Sequence, residues 1–386
     1  MTGPALAVVV LVVAARFLVP LAIPRRPVPA LLAALVLDAV DQTIFQAVGA
    51  DFDGYQGYDK ALDVYYLAVA YASTLRNWAP GMAFRTARFL WYYRLVGVAA
   101  FELTGARPLL LLFPNTFEYF FLAYELIRTR CDPRRLTDRQ VLALAGGIWV
   151  LIKLPQEWWI HIAQLDVTEV LAAQPQLVPL LIIAAALAGA GLVVWMRMRP
   201  PPRDWPLTTR VDTHLPPVDR VGAARTLPLT SRAFLSMVGE KILLVSLVVV
   251  IFAQVLPDLR ATPTQILLST LTLIVANAVC SQLLARRGAT WRSTLAQFVA
   301  MAVLNAAIII ALRLLPGSSG ASFELGSSLF FSLLLTLLIT LYDRFSTIRG
   351  ERATRLDESS VGPASRVGTV DAGSRTRPTG LEDGPP

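Results

Sequence analysis

The chain has 386 residues, 55% of them hydrophobic and only 16% charged, and its mean hydropathy is +0.56. Soluble domains run at about 45–50% apolar and about 25% charged, so the composition excludes an ordinary soluble globular protein. The formal net charge of +8 is distributed as a topological signal and excludes a nucleic-acid footprint.

In chain order the apolar residues fall into blocks of about 20, each long enough to cross a hydrocarbon core about 30 Å thick. Eleven spans are predicted, at about 4–23, 28–48, 61–79, 83–104, 108–127, 140–162, 176–196, 233–255, 264–285, 293–314 and 324–345. Gly and Pro scattered through the blocks, without period-2 alternation, exclude a membrane β-barrel. The expected fold is therefore all-α and polytopic, with about eleven transmembrane helices. Arg16 lies inside the first block and no small-residue cleavage site follows, which reads as a retained span and not a signal peptide.

One alternating set of loops holds 27 basic residues and the other holds 4. By the positive-inside rule the N-terminus is outside and the C-terminus cytoplasmic. Four segments are expected: a seven-helix membrane domain over 1–196, a Pro/Arg-rich cytoplasmic linker over 197–232, a four-helix membrane domain over 233–347, and a disordered cytoplasmic tail over 348–386.

Ionisable groups inside spans cost about 2.5–3.5 kcal/mol each on insertion scales, so their placement points to the site. They concentrate in the first seven spans. Asp38, Asp41 and Gln42 lie three and four residues apart on one face of the second span. Two carboxylates close together in low dielectric repel, and either a proton or cation site or neutralisation by Arg16, Arg94 or Lys153 follows. In the fifth span Pro114 and Asn115 break the helix beside Glu118, an arrangement that exposes backbone groups to a ligand. In the sixth, Lys153, Glu157 and His161 follow at four-residue intervals around Pro155. The candidate cluster draws Asp38, Asp41 and Glu118 together against Arg94 and Lys153, with Asn115, Glu157 and His161 beside them. Asp51, Asp53, Asp59 and Asp63 are expected to form an acidic outer vestibule. The two histidines, His161 and His214, and the two cysteines, Cys131 and Cys280, supply no zinc or haem ligand set and no disulfide framework, so no metal site is assigned and no cofactor is indicated.

Over 26 residues, Asp38, Asp41, Asp59 and Asp63 have the spacing of the metal-binding aspartates of CDP-alcohol phosphotransferases, and in that stretch the chain resembles the family. Gln42 and Tyr55 stand where the family has glycine, Phe45 and Gln46 where it has Ala-Arg, and the topology turns the region away from cytoplasmic nucleotide; the family is not assigned. The layout is also similar to that of multispan glycosyltransferases that use polyprenyl-phosphate sugars. That similarity implies Asp51 or Asp53 as catalytic base and Arg94 and Lys153 as contacts for the lipid phosphate.

Three function classes follow: a transporter-like protein with an intramembrane charged site opening to the acidic vestibule, a membrane enzyme acting on a lipid-linked substrate from the outer face, and a structural or partner-binding subunit. The first is preferred. The expected surroundings are the plasma membrane and its lipid, and the expected ligand a small polar or lipid-linked one; nucleic acid is not a partner.

Overall fold

The computed structural model describes residues 3–49, 55–163, 203–211, 232–255, 298–303, 305–307 and 325–360. The predicted spans at 176–196 and 264–285, most of that at 293–314, and Asp51, Asp53 and His214 lie outside the described residues. Among the described residues the regular structure is entirely helical.

Helix α1 spans Gly3–Leu18 and runs on as a short tighter turn, Val19–Ala22. It ends where Pro20 and Pro24 remove backbone donors. After the turn at 23–26, α2 (Pro27–Ala47) starts on a proline whose fixed φ suits the first helical position. It stops at Gly49, whose φ of +68° only glycine adopts freely. Helix α3 covers Tyr55–Asn77 and α4 Met82–Thr104. The predicted fifth span is divided into α5 (Pro108–Leu112) and α6 (Thr116–Arg128), as Pro114 and Asn115 require. Helix α7 (Asp138–Ile148) opens on a capping box of Thr137 and Gln140. A π-helical turn, Trp149–Lys153, then leads into α8 (Leu154–Glu157), and a second π segment, Trp158–Ala163, follows. Pro155 explains the interruption, since it can neither donate to residue 151 nor tolerate its carbonyl at the normal helical distance. Helix α9 is Arg232–Val255 and α10 is Leu325–Ser360.

Helix α10 passes the expected domain boundary at 347 and continues to Ser360. The sequence ERATRLDES explains the extension, because it consists largely of good helix formers. Helix α10 packs along α3, and α9 packs on α4 and α3. The two expected membrane domains thus share one core: Tyr65, Tyr71, Trp91 and Phe117 of the first part and Val248 and Leu338 of the second belong to a single buried cluster. Trp91 stacks on Tyr71 at 5.7 Å between ring centroids and meets Phe117 at 5.5 Å.

Part of the expected linker is ordered as a strap. Residues 203–211 cross the end of α6, where Asp204 N–H donates to the Arg130 carbonyl (3.1 Å), Trp205 Nε1 to that of Arg128 (3.0 Å) and Thr208 N–H to that of Thr129 (2.9 Å). Arg128 is the last residue of α6 and Thr129 its cap, so the strap supplies donors where the helix ends and leaves carbonyls without helical partners. In the loop that follows α6, Arg134 holds the Asp132 carboxyl below the usual carboxylate range.

Gly97 of α4 lies against the α5–α6 break, and a Cβ added there would collide with the Phe113 side chain. Gly97→Ala should cost about 1–3 kcal/mol by overpacking, read as a lower unfolding temperature of the purified protein. An unchanged value would show that the break yields freely.

Candidate functional site

Two charged centres are built on these helices. The first converges on Arg16, in the last turn of α1, whose side chain is 3% exposed. Its guanidinium bonds four carboxylates: Asp38 and Asp41 of α2, Asp59 of α3 at 2.6 Å and Asp63 of α3 at 3.1 Å. Asp38 and Asp41 are three residues apart and Asp59 and Asp63 four, so each helix presents its pair on one face. Nearby, Tyr65 donates to the Phe17 carbonyl (2.9 Å) and stacks on the Phe17 ring, fixing α1 against α3. Carboxylate oxygens of Asp38, Asp59 and Asp63 lie within 4.8 Å of one another. Asp41 is buried, whereas the side chains of Asp38, Asp59 and Asp63 are 29–40% exposed. Neighbouring Lys60 is directed to Glu102 instead (3.1 Å).

The second centre surrounds the α5–α6 break. Tyr93 and Arg94 of α4 donate to the Leu112 and Phe113 carbonyls at 2.8 and 2.9 Å, placing a cation at the end of α5. On the other side of the break the Asn115 backbone N–H donates to Glu157 (3.0 Å), and Asn115 Nδ2 to Glu118 (2.6 Å), so two carboxylates occupy the start of α6. His161 Nε2 contacts the second oxygen of Glu157 at 3.0 Å, and Arg94 lies 3.9 Å from the first. Lys153 is buried, with Nζ 3.9 Å from the centroid of the Tyr119 ring. The charges balance here: two carboxylates, one arginine and one lysine.

The expected single cluster is therefore corrected to two. Asp38 and Asp41 face Arg16, not Arg94 and Lys153, because the short turn after α1 makes an antiparallel hairpin that brings residue 16 level with the middle of α2. Glu118, Asn115, Glu157, His161, Arg94 and Lys153 do come together. Asp59 and Asp63, expected in the vestibule, are ligands of the Arg16 guanidinium. Sequence reasoning missed Tyr66, which donates to Glu118 at 3.2 Å. Its signal was its position three residues after Asp63, which continues the polar stripe of α3 toward the second centre.

Neither a protein family, a curated protein nor a solved structure is matched by this chain.

Proposed function

We propose that the chain is a multi-pass helical membrane protein of the plasma membrane, with its N-terminus outside and C-terminus in the cytoplasm. In this reading it is a transporter-like protein that takes up a proton or a small cation at the Arg16 centre. The membrane reading is supported by the 27-to-4 loop asymmetry and by two helices, Pro4–Ala22 and Pro27–Ala47, long and apolar enough to cross a bilayer. It is also supported by outward-facing Leu6, Leu11, Val36, Phe89, Val96 and Leu151, each more than two-fifths exposed, which suit a lipid environment.

The observation that carries the transport reading is four carboxylates on one guanidinium. When all are ionised, three negative charges remain uncompensated, and at low dielectric they call for protons or a cation. Intramembrane carboxylates of this kind mark ion and proton pathways. The balanced second centre has no such excess and suits a structural or polar-ligand role. It also weakens the glycosyltransferase reading, since Arg94 and Lys153 would have to leave Glu157 and Glu118 to hold a lipid phosphate.

In proteoliposomes under an imposed potential, wild-type protein should carry proton or cation flux, and Asp63→Asn should remove it without loss of folded protein. Flux unchanged in Asp63→Asn, or none for protons, sodium or potassium in the wild type, would sink the reading. Topology is tested separately. Cysteines introduced at Asp53 and Ser319 should react with an impermeant thiol reagent in intact cells, and one at His214 should not; the reverse pattern would invert the orientation.

A further inference from the structure

The strap at 203–211 does more than close the end of α6. Its Val211 N–H donates to the Arg25 carbonyl at 3.2 Å, which ties it to the turn between α1 and α2. Asp204 accepts from the Asp132 backbone N–H (2.8 Å) and pairs with Arg135 (2.9 Å), which ties it to the loop after α6. Three segments distant in sequence are thereby joined into one surface, on which Arg25, Arg26, Arg130, Arg203 and Arg210 are exposed. The acidic groups Asp132 and Asp204 are paired with Arg134 and Arg135, so the surface is strongly positive. At its edge Leu207 is 63% exposed, between Pro206 and Thr208 and close to Trp205.

We propose that this strap and its arginine platform dock the headgroups of anionic phospholipids at the cytoplasmic surface, with Leu207 inserted at the headgroup level. The inference rests on the membrane reading above and adds a lipid partner to it. If α1 and α2 cross the bilayer, the turn at 23–26 lies at its surface, and the bond from Val211 to Arg25 sets the strap at the same level. An exposed leucine flanked by arginines matches an anionic leaflet in both parts: arginine meets phosphate, and leucine meets the acyl boundary.

The test uses the full chain carrying Leu207→Cys, with Cys131 and Cys280 replaced by serine, labelled with an environment-sensitive fluorophore and placed in nanodiscs. The lipid is phosphatidylcholine alone or with about one third phosphatidylglycerol, at about 50 and about 500 mM salt. Emission should shift to the blue, and be quenched by headgroup-level spin-labelled lipid, only in the anionic discs at low salt. Arg203→Gln and Arg210→Gln should each weaken the salt-sensitive component about fivefold. Identical emission in both lipids would overturn the proposal, as would the same shift produced in phosphatidylcholine discs by about 10 mM inorganic phosphate, which would assign the platform to a free anion. A chain that does not enter the discs at all would refute the membrane reading and the proposal with it, an outcome distinct from lipid-independent emission.

Discussion

Arg16→Met should be among the most damaging single substitutions in the protein. It removes the cation that bonds Asp38, Asp41, Asp59 and Asp63 and leaves Asp41, 1% exposed, as a buried carboxylate without that partner. Deleting one member of a buried pair costs about 3–5 kcal/mol. The other three aspartates are about a third exposed and can recover some hydration, which places the expected loss near the lower end, about 3 kcal/mol. Thermal unfolding of the purified protein in detergent reads the loss directly. Arg16→Lys should recover part of it, because an ammonium keeps the charge but not the two-pronged geometry that reaches two helices at once. Asp41→Asn combined with Arg16→Met should also recover part, since it removes the most deeply buried of the stranded charges. If Arg16→Met unfolds at the wild-type temperature, the four contacts contribute nothing to the fold and the charge-excess argument loses its basis.

Among the described residues the helices were legible because their apolar blocks are bounded by proline, glycine or arginine, and these residues act locally. Pro27 opens α2, Gly49 and Gly105 close α2 and α4, and Pro114 with Asn115 divides α5 from α6. The charged residues were legible as a set, since each costs free energy inside an apolar block, but their pairing was not. Whether Asp38 meets Arg16 or Arg94 depends on hairpin register and on which helix packs next, and both are settled by tertiary contacts between residues 22 or more positions apart. The α1–α2 turn did contain a clue: with the four-residue turn at 23–26, Arg16 seven positions before it is carried back along α2 toward the carboxylates twelve and fifteen positions after it. Pro155 announced a kink, yet nothing in WVLIK or WWIHIA announced that the turns on both sides would widen to π geometry. The strap was invisible because RDWPLTTR has no periodicity, and its bonds go to the carbonyls at and just past the end of α6.

Glu157→Leu should be comparably costly, and it separates the roles of the two centres. Glu157 is 5% exposed, accepts the Asn115 backbone N–H, contacts His161 and lies 3.9 Å from Arg94. Its loss orphans the donor at the start of α6, at about 1–3 kcal/mol for an unsatisfied buried group. It also leaves Arg94 and Lys153 with only Glu118 to balance them. Because these effects share partners they do not add, and about 3–5 kcal/mol is the expected total. Glu157→Gln keeps an acceptor for Asn115 and should lose less. Adding Lys153→Met to Glu157→Leu restores the charge balance and should recover a measurable part of the stability, so a double-mutant cycle reads the coupling between them. No coupling would mean that Lys153 is held by Glu118 and the Tyr119 ring, independently of Glu157. In the same proteoliposome assay, folded Glu157→Gln protein should retain the flux that Asp63→Asn loses, since the ion-handling excess of charge is at Arg16 and the α5–α6 break is balanced. Loss of flux in Glu157→Gln at normal stability would move the transport site to the break and make the Arg16 centre the structural one.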